Sequence, residues 1–195
     1  MEQRLFINIS PLVYVFAAVL LLVVPLPWLN GWVIAVLFHE FSHCIALYLC
    51  GKQIDGVSLD INGVRIHTEP LSDWQILLCS LAGPMGGLLV ILIAHVFPQA
   101  AICAALLSIY NLIPIFPFDG GRALFGLLHM ILPERICELF CFLMEKLVLM
   151  GVIFLGIFAT FIWKLSVLPI CISALFALRV HRIKIPCKSR VDRVQ

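Results

Sequence analysis

The chain has 195 residues, of which 63% are hydrophobic and 12% charged, where an average soluble domain has about 25% charged. One soluble core of this size cannot bury so much apolar surface, so the composition excludes a soluble globular protein and places the chain in a membrane. The net charge is only +2, yet six of the thirteen basic residues (Arg179, Arg182, Lys184, Lys188, Arg190 and Arg193) stand at its end. Following a long apolar segment, they read as a cytoplasmic anchor against anionic lipid and not as a nucleic-acid tail.

A bilayer crossing needs about 20 apolar residues. In chain order the candidate spans are 11–29, 31–50, 74–97, 99–116, 146–163 and 165–181. Arg4 precedes the first, which is longer than a signal-peptide core and lacks a small-x-small cleavage site, so it reads as a retained span. The charged connections 51–73 and 117–145 and the basic tail fall on one side together with Arg4, which predicts that both termini are cytoplasmic. The expected fold is an all-α polytopic membrane protein of about six transmembrane helices, with a β-hairpin inserted between the second and third. Residues 1–181 would form the membrane-embedded domain and 182–195 the basic cytoplasmic tail.

The hairpin is read from two alternating runs, 57–61 and 64–68, flanking Asn62 and Gly63. Asn-Gly favours a two-residue turn of type I′. That register pairs Ile61 with Val64, Asp60 with Arg65 and Leu59 with Ile66. It leaves one face apolar and gives the other Ser58, Asp60, Arg65 and His67. Farther along, Ala123 to Leu132 reads as a short helix ended by Pro133, and a second helix starts near Glu134 and runs into the fifth span. The eight cysteines contain no Cys-x-x-Cys pair and fall mostly in apolar runs, where they serve as small buried residues without a disulfide framework.

The run that carries chemistry is His39-Glu40-Phe41-Ser42-His43, inside an apolar span where ionisable groups are costly and usually functional. Residues four apart share a helix face, so His39 and His43 can bind one metal ion, and Glu40 can reach a water on it. A purely structural role, bonding neighbouring helices through polar side chains, is the competing reading. Zinc needs a third protein ligand and an open position. Asp119 is the best candidate, on a loop shaped by Pro114, Pro117, Gly120 and Gly121. Alone it would read as the N-cap of a helix over 120–132, but beside two histidines the ligand reading is preferred.

With these residues in view, the chain resembles the site-2 protease family of intramembrane metalloproteases (peptidase family M50). That family pairs His-Glu-x-x-His in one span with a later N-x-x-P-x-x-P-x-D-G pattern. Both stand here in order, the second running from Asn111 to Gly120. The resemblance covers roughly residues 31–122 and includes the hairpin. Gly83, Pro84, Gly86 and Gly87 resemble the family's G-P-x-x-N run, with Gly87 where Asn is common; read without the family, these glycines are small residues for close helix packing. The resemblance implies one zinc ion held by His39, His43 and Asp119, Glu40 as catalytic acid/base, and Asn111 as a substrate-holding residue. It implies hydrolysis of a peptide bond in or next to a transmembrane segment of a membrane-bound protein substrate, in regulated proteolysis, with the lipid bilayer and a regulatory membrane protein as further partners and no nucleic acid. The compact form looks nearest to the sporulation branch that processes a pro-sigma factor, although the C-terminal CBS domain of that branch has no counterpart here. Substrate could be held extended by strand addition to the hairpin edge. His67, His95, His129 and His181 match no motif and are read as non-ligands, with His67 singled out because its hairpin is expected near the site. The alternatives are a metal-ion transporter, which would need polar residues along several helices, and a catalytically silent binding relative, which the intact motifs argue against.

Overall fold

The computed structural model describes residues 6–60, 63–161 and 168–181. The expected basic tail at 182–195 therefore lies outside the described residues. In chain order the elements are strand β1 (Phe6–Ile9), helices α1 (Pro11–Val23) and α2 (Leu26–Leu49), and strands β2 (Ile54–Asp60) and β3 (Gly63–Thr68). Helix α3 (Asp73–Val90) follows, lengthened by a 3-10 turn (Ile91–Ile93), then α4 (Pro98–Asn111), α5 (Asp119–His129), α6 (Glu134–Phe161) and α7 (Leu168–His181).

Among the described residues, three helices are long and apolar enough to cross a membrane: Leu26–Leu49, Asp73–Ile93 and Glu134–Phe161. Helices α1 and α4 have 13 and 14 residues, and the described part of α7 has 14. At 1.5 Å per residue each rises only about 20 Å, short of the ~30 Å hydrocarbon core. Three of the six expected spans thus meet the length requirement. The first expected span, 11–29, divides in two: Val24, ahead of Pro25, is extended at ψ 129°, Pro25 is extended at ψ 137°, and α2 starts at Leu26. The residue before a proline is driven out of the helical region, and proline offers no N–H to continue the ladder.

Helix α3 is the hub of the bundle. Nearly half of its span (44%) is buried inside the protein, against 17% for α2 and 22% for α6, and it packs on α2, α4 and α5. Its start is fixed by a capping box, with the Gln75 side-chain oxygen accepting from the Ser72 N–H at 3.0 Å. The Gln75 amide then donates to the Cys50 carbonyl at 3.3 Å, tying α3 to the end of α2. Below the centre of the bundle, Ile76, Cys79, Phe116, Phe125, Cys137 and Cys141 form an apolar cluster. The described cysteines are all free, as their placement in apolar runs suggested.

The hairpin exists, but as part of a three-stranded sheet in the order β1-β2-β3. Strand β1, which the sequence did not announce, pairs parallel with β2 from Phe6↔Gly56 to Ile9↔Leu59. The Phe6 ring lies over Gly56, where a Cβ would collide with it, and packs 5.2 Å from the His67 ring. The expected register is corrected: Leu59 faces Val64 rather than Ile66, and Ser58 faces Arg65. Gly63 is itself paired with Asp60, at a φ of 123° open to glycine, so it belongs to the ladder and not to the turn. The partners move by two residues along β3, an even number, so each side chain keeps its expected face. Ser58 Oγ and His67 Nε2 meet at 2.7 Å on the polar face.

Candidate metal centre

Helix α2 presents His39 and His43 one turn apart on its buried face, with His39 only 3% exposed. The third side chain comes from α5. This helix was expected over 123–132 but runs from Asp119 to His129, with the extended Phe118 as its N-cap and no side-chain cap bond. Asp119 is the first helical residue, and its carboxylate turns to the histidines instead of capping the helix. Glycine makes that start possible. A Cβ on Gly120 would press on the Leu112 and Ile113 carbonyls, and one on Gly121 would strike the Ile115 carbonyl and lie 2.6 Å from the Phe116 nitrogen. The loop from 112 to 118, which includes a cis Phe116–Pro117 bond, can therefore lie flat against the first turn of α5.

His39 Nε2 lies 3.1 Å from Asp119 Oδ2, His43 Nε2 lies 3.3 Å from the same oxygen, and the two Nε2 atoms are 3.3 Å apart. Zinc–ligand bonds of about 2.0–2.2 Å in a tetrahedron give ligand–ligand edges of about 3.3–3.5 Å. The three donor atoms are thus spaced almost as one face of a zinc tetrahedron. They form the one such group among the described residues. Two imidazoles and one carboxylate with a fourth position left open are also a donor set of catalytic zinc sites. The residues fit the ion.

The surroundings hold these donors in place. The Cys79 carbonyl accepts from His43 Nδ1 at 2.7 Å, which places a ring proton on Nδ1; loss of the Nε2 proton would then free that atom's lone pair for an ion. His39 Nδ1 is buried without a protein partner. Burial by itself would raise the Asp119 pKa, but the hydrogen bonds with His39 and His43, together with the charges of His43 and Arg122, hold the carboxyl well below the usual carboxylate range. Asp119 is therefore an anionic donor at neutral pH. Glu40, half-buried beside His39, shares its electrostatic surroundings with His39, His43, Asp119 and Arg122.

Two contributors were not identified from sequence. Gly83 on α3 faces the ring pair directly: a Cβ there would overlap His43 Nε2 and come within 2.9 Å of His39 Cε1. Packing beside small residues was the sequence reading of this glycine; the structure shows that it makes room for the imidazoles. Arg122 stands one turn after Asp119 on α5, and its charge acts on both Asp119 and Glu40. Its i+3 spacing from Asp119 was the available signal. Asn111, by contrast, ends α4 and donates its side-chain amide to the Leu107 carbonyl of its own helix at 3.0 Å. His67 stays with Ser58 on the sheet, His129 pairs with Asp73 at 3.0 Å, and His95 is exposed, so none of the three joins the triad.

Residues 80–152, from the middle of α3 into α6, match the family model described as Peptidase family M50. That stretch includes Asp119 but not the two histidines. A Synechocystis protein provisionally named a zinc metalloprotease is 28% identical over 120 residues. The match covers 50% of this chain and 32% of the relative, so the chain spans about a third of that protein's length. The solved structure of the site-2 protease from Methanocaldococcus jannaschii superimposes with a TM-score of 0.63, covering 92% of this chain and 91% of that one. At 17% sequence identity this is a likeness of fold.

Proposed function

We propose that this chain, whose family match, curated relative and shared fold support the site-2 protease family, is an intramembrane zinc metalloprotease that cuts a peptide bond within or next to a transmembrane segment of a membrane-bound protein. One observation carries the reading: His39, His43 and Asp119 converge at 3.1–3.3 Å with an acid, Glu40, at the adjoining position. Zinc held by those three residues would supply Lewis acidity, lowering the pKa of a water to about 7 and polarising a carbonyl. Glu40 takes the proton of the attacking water and returns it to the leaving amine. Arg122 supplies positive charge beside both acids. Asn111 is proposed to hold substrate once its side chain leaves the Leu107 carbonyl.

A helical substrate hides its backbone, so it must unwind before it can be cut. β3 is an outer strand of the sheet, and its free side offers backbone groups to an extended segment. Six crossings with cytoplasmic termini are proposed, α1, α4 and α7 joining the three long spans, with the short α1 and α4 matched by local thinning of the bilayer. A regulatory membrane protein is part of the same reading. Neither the family match nor the relative supports the sporulation branch, so the substrate is proposed only as a membrane-bound protein.

The test is Glu40→Gln, co-expressed with single-span membrane proteins. The variant is expected to keep its zinc and to lose cleavage by about 10²–10⁴-fold, the usual contribution of a general base. Undiminished cleavage by Glu40→Gln would overturn the enzymatic reading.

A further inference from the structure

We propose that Phe176 on α7 is a positioning residue for Asp119, acting through Phe118, so that the seating of α7 sets the metal affinity of a site built on α2 and α5. The inference rests on the reading of His39, His43 and Asp119 as zinc ligands.

Phe118 directly precedes Asp119 and is 2% exposed. It is the hinge of the α5 start. Its N–H donates to the Ile115 carbonyl at 3.1 Å, and its own carbonyl accepts from the N–H groups of Gly121 and Arg122 at 3.1 and 3.2 Å. No side chain caps this helix, so the direction of its first turn depends on how Phe118 is held. Two rings hold it. Tyr110, at the end of α4, meets it edge-on with centroids 4.6 Å apart and planes at 72°. Phe176 stacks on it with centroids 5.8 Å apart and planes at 9°. Val180, one turn beyond Phe176 on α7, is fully buried in the same cluster with Ile115.

α7 therefore packs on the residue next to a candidate ligand. Phe118 and Asp119 share one rigid peptide unit, so a change in the Phe118 backbone torsions redirects the residue that opens α5. A metal site tolerates ligand displacements of only about 0.2 Å. Removing the Phe176 ring takes away a stacked face that packs on Phe118 from α7.

The test measures zinc affinity of the purified full-length protein in detergent, by competition with a chromophoric chelator, alongside thermal unfolding of the zinc-free protein. Phe176→Ala is expected to weaken zinc binding by about 10-fold, the lower end for loss of a group that supports a ligand. Phe176→Tyr, which keeps the ring, is expected to stay near wild type. Phe154→Ala serves as the control, because Phe154 stacks only on Phe158 along α6 and is 66% exposed. Phe176→Leu keeps apolar bulk without the flat ring and answers the question should the alanine variant fail to fold. In a Phe118→Leu background the Phe176 substitution is expected to add little. Wild-type affinity in folded Phe176→Ala or Phe176→Leu, or an undiminished effect in the Phe118→Leu background, overturns the inference. Failure of the wild-type protein itself to bind zinc overturns the zinc reading, and this inference with it.

Discussion

A single methyl group on Gly83 should disable the metal centre. In Gly83→Ala the new Cβ would stand 2.9 Å from His39 Cε1 and overlap the His43 ring. Relaxed carbon pairs sit about 3.5–4.0 Å apart, so His39 must retreat by about 0.6–1.1 Å or α3 must move away from α2. Either shift exceeds the ~0.2 Å tolerance of a zinc ligand several times over. The two Nε2 atoms, now 3.3 Å apart, would no longer share one ion in good geometry. Zinc affinity should fall by at least the 10–100-fold seen when a group supporting a ligand is lost, or about 1.4–2.7 kcal/mol. Gly151→Ala is the matched control: a Cβ there meets nothing within 4 Å, so zinc affinity should stay unchanged. Its helix should gain about 0.8–1.0 kcal/mol of intrinsic propensity. Both variants can be titrated with zinc against a competing chelator. Wild-type affinity in Gly83→Ala would refute the reasoning, because it would mean that α3 does not press on the histidines as described.

Two further outcomes follow from neighbouring contacts. Gly87→Ala should destabilise the bundle by about 1–3 kcal/mol through overpacking, since its Cβ would strike Ser108 Oγ; thermal unfolding should show part of that loss recovered in Gly87→Ala/Ser108→Ala. The recovery should be incomplete, because Ser108 Oγ also donates to the Pro84 carbonyl at 3.0 Å. Ile66→Pro, placed in β3 opposite Val57, should slow cleavage of a membrane-spanning substrate and leave zinc affinity unchanged; full cleavage would remove the sheet edge from the proposed mechanism.

The candidate triad is legible in sequence because its donor residues are concentrated. His39 and His43 are one turn apart on a single helix, and Asp119 is marked by the prolines and glycines that shape its loop. The fold was less legible wherever distant segments meet. Strand β1 has only four residues and exists through its pairing with β2, some fifty positions away. The hairpin partners were displaced because Asn62-Gly63 was read as the turn, whereas Gly63 pairs with Asp60. The unbroken apolar run hid the boundary between α1 and α2, which only the backbone at Val24 and Pro25 reveals. Gly83 looked like packing because spacing along α3 does not say which face of α2 it meets. Asn111 sits in a matching motif, yet its side chain is turned back onto α4.

The central claim is that two histidines and one aspartate hold a single zinc ion, in a chain that also carries eight cysteines able to compete for it. Zinc-edge X-ray absorption on the purified protein, together with metal analysis, separates these cases. One zinc per chain is expected, with only nitrogen and oxygen neighbours at about 2.0–2.2 Å, and loss of that zinc in Asp119→Ala. A sulfur shell at about 2.3 Å, or full zinc retention in Asp119→Ala, would contradict it.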